Sequence, residues 1–137
     1  MAAFHSRRRV EWADTDLAQM AHFARYLVFM ETAEHELLRA AGVEVHHDAA
    51  GEPWLWPRVK VECDYRAPLA FGDEVEIEVR VAARGRSSVT YTHTLTRGGE
   101  TVATGRVTAV CCRRGGDGRP RAVPIPDDLA AALDGYR

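Results

Sequence analysis

The chain has 137 residues, a formal net charge of −2 and three cysteines. A domain of this size can bury a sizeable core without disulfides or a structural metal, so we expect one domain over residues 1–137. The near-neutral charge gives no general basic field for nucleic acid, and no apolar run is long enough to cross a bilayer. The odd number of cysteines is typical of reduced thiols. We therefore expect a cytoplasmic protein that binds neither nucleic acid nor membrane.

The amino-terminal segment combines arginines with a pair of aspartates. Val10 to Ala13 predicts a short first strand, and Asp14-Thr15-Asp16 follows at its end or in the next turn. Taken alone, such an acidic pair is far more often a turn than a site, because aspartate and threonine bond their own backbone. Arg7-Arg8-Arg9 is followed at once by acidic residues, which favours strand-end charge over a nucleic-acid arm.

One long helix is predicted from Phe23 to Ala41. Apolar residues recur there at three- and four-residue spacings, and Gly42 provides a stop. A rotation of 100° per residue places Glu34 inside the apolar stripe and Glu31 at its edge. Because a buried carboxylate must find partners, a hydrogen-bonding role at the helix flank or at a subunit contact is favoured over catalysis for both glutamates.

Four long antiparallel strands are predicted after a polar loop, Glu44 to Pro53. Apolar and polar residues alternate through most of this region with the period of a strand, and glycine-containing turns separate the segments. The predicted strands are Val59–Tyr65, Asp73–Ala83, Ser88–Thr96 and Thr101–Cys112. After a glycine-rich turn at 115–118, three prolines lead into a short closing helix, Asp127–Leu133, with Asp127 as its cap.

This order of elements predicts an α+β domain in which an antiparallel sheet wraps around the one long helix. Charged residues on the outer face and an exposed edge strand favour a homo-oligomer, since association would cover that surface. No metal site is expected, because His46-His47-Asp48 lacks the spacing that brings ligands together.

Three segments carry a family resemblance: VEWADTD at 10–16, AHFARY at 21–26 with FME at 29–31, and YRAPL at 65–69 with Gly72-Asp73. Together they resemble the 4-hydroxybenzoyl-CoA thioesterase family over nearly the whole chain. The resemblance implies the hotdog fold, with five antiparallel strands around one long helix, and hydrolysis of an acyl-CoA or aroyl-CoA thioester. It also implies a dimer or a tetramer, and no cofactor, since coenzyme A is part of the substrate.

The resemblance also implies roles for individual residues. Asp16 corresponds to the catalytic carboxylate, a nucleophile or a general base on water, and the Phe23 amide to the oxyanion donor. His22 precedes by one residue the position of a histidine found in some members. Glu31 lies where another branch of hotdog thioesterases keeps a catalytic glutamate, so it is the reserve candidate. Gln19-Met20 stands where the family usually has a glycine next to an apolar residue. This departure predicts a stiffer turn and a narrower acyl pocket.

In the family, coenzyme A phosphates are bound at the hairpin after the third strand and near the carboxyl terminus. The residues at those places are Arg84, Arg86, Ser87, Arg119 and Arg121. Two other classes stay open: a noncatalytic module that binds acyl-CoA or acyl-carrier protein, and a hotdog hydratase or dehydratase. The intact Asp16 argues against the first, and the missing hydratase signature argues against the second. The acyl group and the choice between covalent and general-base chemistry also stay open.

Overall fold

A computed structural model describes residues 2–137 of the chain. The elements are β1 (Phe4–Arg9), α1 (Arg25–Ala40), β2 (Arg58–Tyr65), β3 (Glu74–Arg84), β4 (Ser88–Arg97), β5 (Glu100–Val110), β6 (Cys112–Arg114), β7 (Pro120–Ala122) and α2 (Asp127–Asp134). The first five strands form one antiparallel sheet in the order β1-β3-β4-β5-β2, and the long helix α1 packs on one face of it. The predicted α+β fold, a five-stranded antiparallel sheet with one long helix, is confirmed.

Helix α1 forms because its apolar stripe has a sheet to pack against. Its buried positions include Tyr26, Phe29, Met30 and Leu37, which join the core under β1, β3 and β5. Gly42 follows the helix with a φ of +73°, the left-handed conformation that glycine adopts at low cost and that ends a helix. The helix begins at Arg25, two residues later than predicted, because Phe23 and Ala24 lie in the preceding turn.

The predicted first strand at 10–13 is wrong. Strand β1 is Phe4–Arg9, and Trp12–Asp14 is a single 3-10 turn. The arginines belong to the strand because β1 is an edge strand with one face open to solvent. On that face Arg7 pairs with Glu74 and Glu76 of β3 at 3.1 and 3.0 Å.

Strand β2, at the other edge, is less covered than its alternation predicted. Its apolar residues Val59, Val61 and Tyr65 are 61%, 45% and 46% exposed. Helix α1 packs mainly against β1, β3 and β5, and it reaches β2 through side-chain contacts, with Tyr26 on Tyr65 and Glu34 on Arg58. The inner face of this edge therefore carries uncovered apolar surface.

The carboxyl-terminal segment differs from the prediction in two details. The predicted strand through Cys112 ends at Val110, and Cys112 starts a small hairpin with β7. Asp127 is not the cap of α2: the cap position is Pro126, and Asp127 is the first helical residue. Leu129 and Leu133 bury α2 in the core. In the described part of the chain, neither helix is long and apolar enough to span a membrane.

Candidate active site

Asp16 lies on a tight turn between the 3-10 turn and α1. Its amide donates to the Met20 carbonyl at 3.0 Å, and its own carbonyl accepts from the Gln19 amide at 2.9 Å. Gln19 has a φ of +64°, a left-handed conformation that is costly for a residue with a side chain. This is the position where the family resemblance placed glycine, so the predicted departure has a backbone consequence.

The two aspartates of the pair have opposite environments. Asp14 is 1% exposed, and its Oδ1 accepts from Arg25 Nε and Nη2 at 2.8 and 2.6 Å, while its Oδ2 accepts from the Glu11 amide at 2.8 Å. Asp16 is exposed, and its Oδ1 accepts from the Ala18 amide at 2.9 Å. Among residues 2–137 the Asp16 Oδ2 has no partner. Asp14 therefore shapes the turn, and Asp16 presents a free carboxylate oxygen.

The backbone N–H of Phe23 is free at the start of α1. It makes no hydrogen bond within the described residues, whereas both of its neighbours are held: His22 N donates to the Asp14 carbonyl at 2.8 Å, and Ala24 N donates to His22 Nδ1 at 3.1 Å. Tyr65 donates its hydroxyl to the Phe23 carbonyl at 2.8 Å. Burial raises the pKa of Tyr65 to about 12, so that the hydroxyl keeps its proton. The turn thus presents one unpaired donor where a helix dipole favours negative charge.

The surface beside Asp16 is an open apolar depression of about 770 Å³. Trp12 and Phe71 meet edge to face across it with ring centroids 5.6 Å apart, and both are more than half exposed. The His22 ring stacks on the Phe23 ring nearby, at 4.4 Å between centroids. Because its Nδ1 accepts a hydrogen bond, neutral His22 carries its proton on Nε2. The catalytic roles of Asp16, Phe23 and His22 stay predictions.

Glu31 and Glu34 differ as sharply as the aspartates. Glu34 is 1% exposed and bonds Arg58 Nη2 at 2.6 Å and His93 Nε2 at 2.8 Å. The structure confirms the hydrogen-bonding role that the sequence favoured for Glu34. Nothing in the sequence indicated that Arg58 and His93 are its partners. Glu31 is exposed and makes no ion pair with another described residue. It lies on the rim of two cavities along α1.

The basic residues predicted to bind coenzyme A lie at one end of the sheet, around the β3–β4 hairpin. Arg84 is already engaged: its Nε and Nη2 donate to both carboxylate oxygens of Asp134 at 2.7 and 2.9 Å. Arg86 and Arg119 are exposed and their side chains have no partner within residues 2–137. The tail is tied to the hairpin, since Ile125 N donates to the Arg86 carbonyl at 2.8 Å and Cys111 N to the Ser87 carbonyl at 2.7 Å. Arg121 lies on β7 of that tail, 3.6 Å from Asp117.

This end is far from Asp16. The turn that carries Asp16 packs beside Ala70 and Phe71, just before β3 begins, whereas Arg84 ends β3. The 11 residues of the strand span about 35 Å. One chain therefore does not bring the predicted nucleotide anchors to the predicted catalytic carboxylate.

The histidine-bearing loop is held by an ion pair. Asp48 accepts from Arg113 Nη2 at 2.6 Å and from the amides of Ala50 and Glu52, and the Arg113 bond is the main reason that the pKa of Asp48 is lowered. The Arg113 guanidinium also lies 3.5 Å over the Trp54 ring. Over residues 2–137, no three His, Cys, Asp or Glu side chains cluster as metal ligands.

Comparison with known proteins places the fold and the family. A family model described as the thioesterase-like superfamily matches residues 10–133. A 1,4-dihydroxy-2-naphthoyl-CoA hydrolase of Thermosynechococcus vestitus is 30% identical over 93% of this chain and 86% of its own length. The Escherichia coli acyl-CoA thioester hydrolase YbgC is 27% identical over 85% of this chain and 86% of its own.

Among solved structures, the dynemicin thioesterase, reported in connection with polyene binding, superposes with a TM-score of 0.85. It is 26% identical, with 98% of this chain and 96% of that chain covered. These matches do not single out the 4-hydroxybenzoyl-CoA branch, which stays a prediction. The chain belongs to the thioesterase-like superfamily of hotdog proteins.

Proposed function

We propose that this chain is an acyl-CoA thioesterase that hydrolyses an acyl-CoA or aroyl-CoA thioester to the free acid and coenzyme A. The observation that carries the proposal is the unpaired Oδ2 of Asp16, on the turn that leads to the Phe23 N–H, which is also unpaired within residues 2–137. The names of the relatives, which are hydrolases and thioesterases of acyl-CoA substrates, support the same reaction class.

The chemistry follows from these two groups. Asp16 Oδ2 either removes a proton from water, which then attacks the thioester carbonyl carbon, or attacks that carbon itself. The carbonyl oxygen gains negative charge, which the Phe23 N–H and the α1 dipole stabilise. The C–S bond then breaks and its electron pair leaves on the coenzyme A sulfur. In the covalent route, water hydrolyses the resulting anhydride and restores Asp16.

Two copies of the chain build the complete site. The arginines and Asp16 lie at opposite ends of β3 in one copy. An antiparallel pairing of two β2 edges turns one sheet end for end relative to the other, so the hairpin of one copy lies at the same end of the joined sheet as Asp16 of its partner, several strands away across it. Arg86, Arg119 and Arg121 of the partner then anchor the phosphates of coenzyme A.

The β2 edge is suited to that pairing. The backbone N–H and C=O groups on one side of β2 are unpaired because β2 is the last strand of the sheet. The exposed side chains of Val61 and Tyr65 add apolar surface next to these groups. Pairing two such edges satisfies the backbone groups and covers part of this apolar surface. The assembly is therefore a dimer or a tetramer made of such dimers.

The reaction is tested with a panel of acyl-CoA and aroyl-CoA thioesters, followed by thiol release. Asp16→Asn keeps the shape and removes the basicity, so the rate on the preferred ester falls about 100-fold or more. Equal rates for the two proteins would exclude Asp16 from the chemistry and direct attention to Glu31. Tight binding of acyl-CoA without turnover would instead support a noncatalytic binding module.

The assembly is tested with a matched pair of arginine substitutions at the two sheet edges. Val59→Arg places a charge on the exposed β2 edge outside every described cavity, so it gives a monomer in analytical ultracentrifugation and loses turnover. His5→Arg makes the same change on the exposed β1 edge and keeps both the assembly and the activity. A wild-type protein that is active as a monomer would refute the two-copy site.

A further inference from the structure

Two cavities that share the lining residues Glu31 and Arg58 lie one after the other along α1. The first, of about 220 Å³, is lined by Leu27, Val28 and Glu31 of the helix together with Val61 and Val107 of the sheet. The second, of about 430 Å³, begins at Glu31 and continues past His35 and Leu38. We call the two together the α1 groove.

The groove runs along one helix face, away from the proposed oxyanion donor. Positions 27, 31, 35 and 38 share a face because they are three or four residues apart. At 1.5 Å per residue, Glu31 lies about 9 Å and Leu38 about 20 Å beyond the first helical residue, Arg25. A group that is held at the Phe23 N–H therefore needs considerable length to enter the second cavity.

The buried floor of the second cavity is apolar, whereas its rim also carries the charged Arg58 and Arg114 and the histidines His35 and His46. Leu129 and Leu133 of α2 and Ala109 of β5 line the floor, together with the Tyr91 ring. Tyr91 is 3% exposed, and burial raises the pKa of Tyr91, so its hydroxyl stays neutral. Arg58, at the boundary, is paired with Glu34. Such a floor favours hydrocarbon over a charged group.

The walls of the second cavity are held in place without a ligand. Trp56 Nε1 donates to the Val45 carbonyl at 2.8 Å, and Trp54 N donates to the His46 carbonyl at 2.7 Å. The Arg113 guanidinium, fixed by Asp48, covers the Trp54 ring. A cavity whose aromatic walls are bonded in this way is formed in advance, which is typical of small-molecule sites.

From these features we infer that the α1 groove takes an extended apolar acyl chain of roughly 12 to 16 carbons, a substrate class within the proposed thioesterase function. A cavity of about 150 Å³ accommodates benzene, so the second cavity alone is nearly three times too large for a single ring. An extended chain advances about 1.2 Å per bond, as the peptide backbone does. About eight carbons therefore span the distance to Glu31, and about 16 span the distance to Leu38.

Kinetics on a chain-length series test this substrate class. Hydrolysis is measured for butanoyl-, octanoyl-, tetradecanoyl- and naphthoyl-CoA, and kcat/KM is expected to be highest for tetradecanoyl-CoA. Leu38→Trp fills the second cavity. Burial of each methylene group changes the affinity for the chain about fourfold. Excluding two methylene groups from the cavity therefore lowers the ratio of tetradecanoyl-CoA to butanoyl-CoA kcat/KM at least tenfold. Ala131→Trp, on the exposed side of α2, is the matched control and leaves that ratio unchanged.

A binding measurement separates the groove from the chemistry. In a Trp12→Phe background the only tryptophans are Trp54 and Trp56, so their fluorescence reports occupancy of the second cavity. Tetradecanoate is expected to change the tryptophan fluorescence in a saturable way, whereas butanoate is expected to leave it unchanged. Saturable binding of tetradecanoate by a protein that hydrolyses no thioester would refute the proposed function and keep the groove. A preference for naphthoyl-CoA or butanoyl-CoA, with no effect of Leu38→Trp on the ratio, would refute the long-chain inference and keep the function.

Discussion

The buried Glu34 is the most demanding polar group of the core, and its removal gives a sharp prediction. Glu34→Ala takes away the only partner of His93 Nε2, while His93 Nδ1 already has none within the described residues. It also leaves Arg58 without its carboxylate, although that side chain is 26% exposed and water recovers part of the loss. An unpaired buried group costs about 1–3 kcal/mol, and breaking a buried ion pair costs about 3–5 kcal/mol.

The exposure of Arg58 places the expected loss at the lower end, at about 3 kcal/mol of unfolding free energy. Urea denaturation at a fixed protein concentration measures it, since association changes the apparent stability. With a slope of about 1.5 kcal/mol per molar urea, the midpoint falls by about 2 M. Glu31→Ala is the matched control, because this exposed glutamate on the same helix has no ion pair with another described residue, and its midpoint stays within about 0.3 M.

A loss below about 1 kcal/mol in Glu34→Ala would refute this reasoning, since it would mean that Arg58 and His93 find new partners or water. The triple variant Glu34→Met, Arg58→Met, His93→Leu separates the two explanations. When all three polar groups are replaced by apolar ones, no group is left unpaired, and stability returns to near the wild-type value.

Two further predictions concern local geometry and pH. Gln19→Gly relieves the backbone strain of the positive φ, so it raises the melting temperature by about 2–4 °C, whereas Gln19→Ala gives no gain. Equal melting temperatures for the wild type and both variants would show that the turn is unstrained. The Arg84 bonds lower the pKa of Asp134, so their contribution is present above about pH 4 and is lost as pH falls through the lowered pKa. The difference in unfolding free energy between wild type and Asp134→Asn should therefore be constant from pH 7 to about pH 4 and shrink below it; a difference that grows in acid would contradict this.

The sequence predicted those elements whose hydrophobic pattern lies within one continuous segment of the chain. Helix α1 was predictable because its apolar stripe is buried by the sheet, and β3 and β4 because one face of each is buried in the core. The pattern of β2 was just as regular, yet its apolar face is open, because cover depends on how far α1 extends across the sheet. Strand β1 was missed because its arginines hide the strand alternation: Arg7 lies on the solvent face, whereas Arg8 points inward and covers the Phe29 ring of α1.

The candidate site was also predictable only where the signal lies within one short segment of the chain. The family resemblance predicted a role for the turn and for the Phe23 amide, which stays a prediction, and it did not distinguish the environments of the two aspartates. The partners of Glu34 lie 24 and 59 residues away along the chain, so no local spacing indicated them. The distance between Asp16 and the arginines likewise follows only from the length of β3.

The pair Asp14 and Asp16 allows the division of roles to be tested directly. Asp14→Asn weakens the bonds from Arg25 and from the Glu11 amide, so it lowers the unfolding free energy by about 1.5–3 kcal/mol, the range for hydrogen bonds to a charged group. Asp16→Asn loses one exposed bond from Ala18 and changes stability by no more than about 0.5 kcal/mol, while hydrolysis falls about 100-fold. Because the two substitutions are chemically identical and two residues apart, each is the control for the other. The opposite outcome, full stability with lost hydrolysis in Asp14→Asn, would assign the catalytic carboxylate to Asp14 and leave Asp16 as an ordinary turn residue.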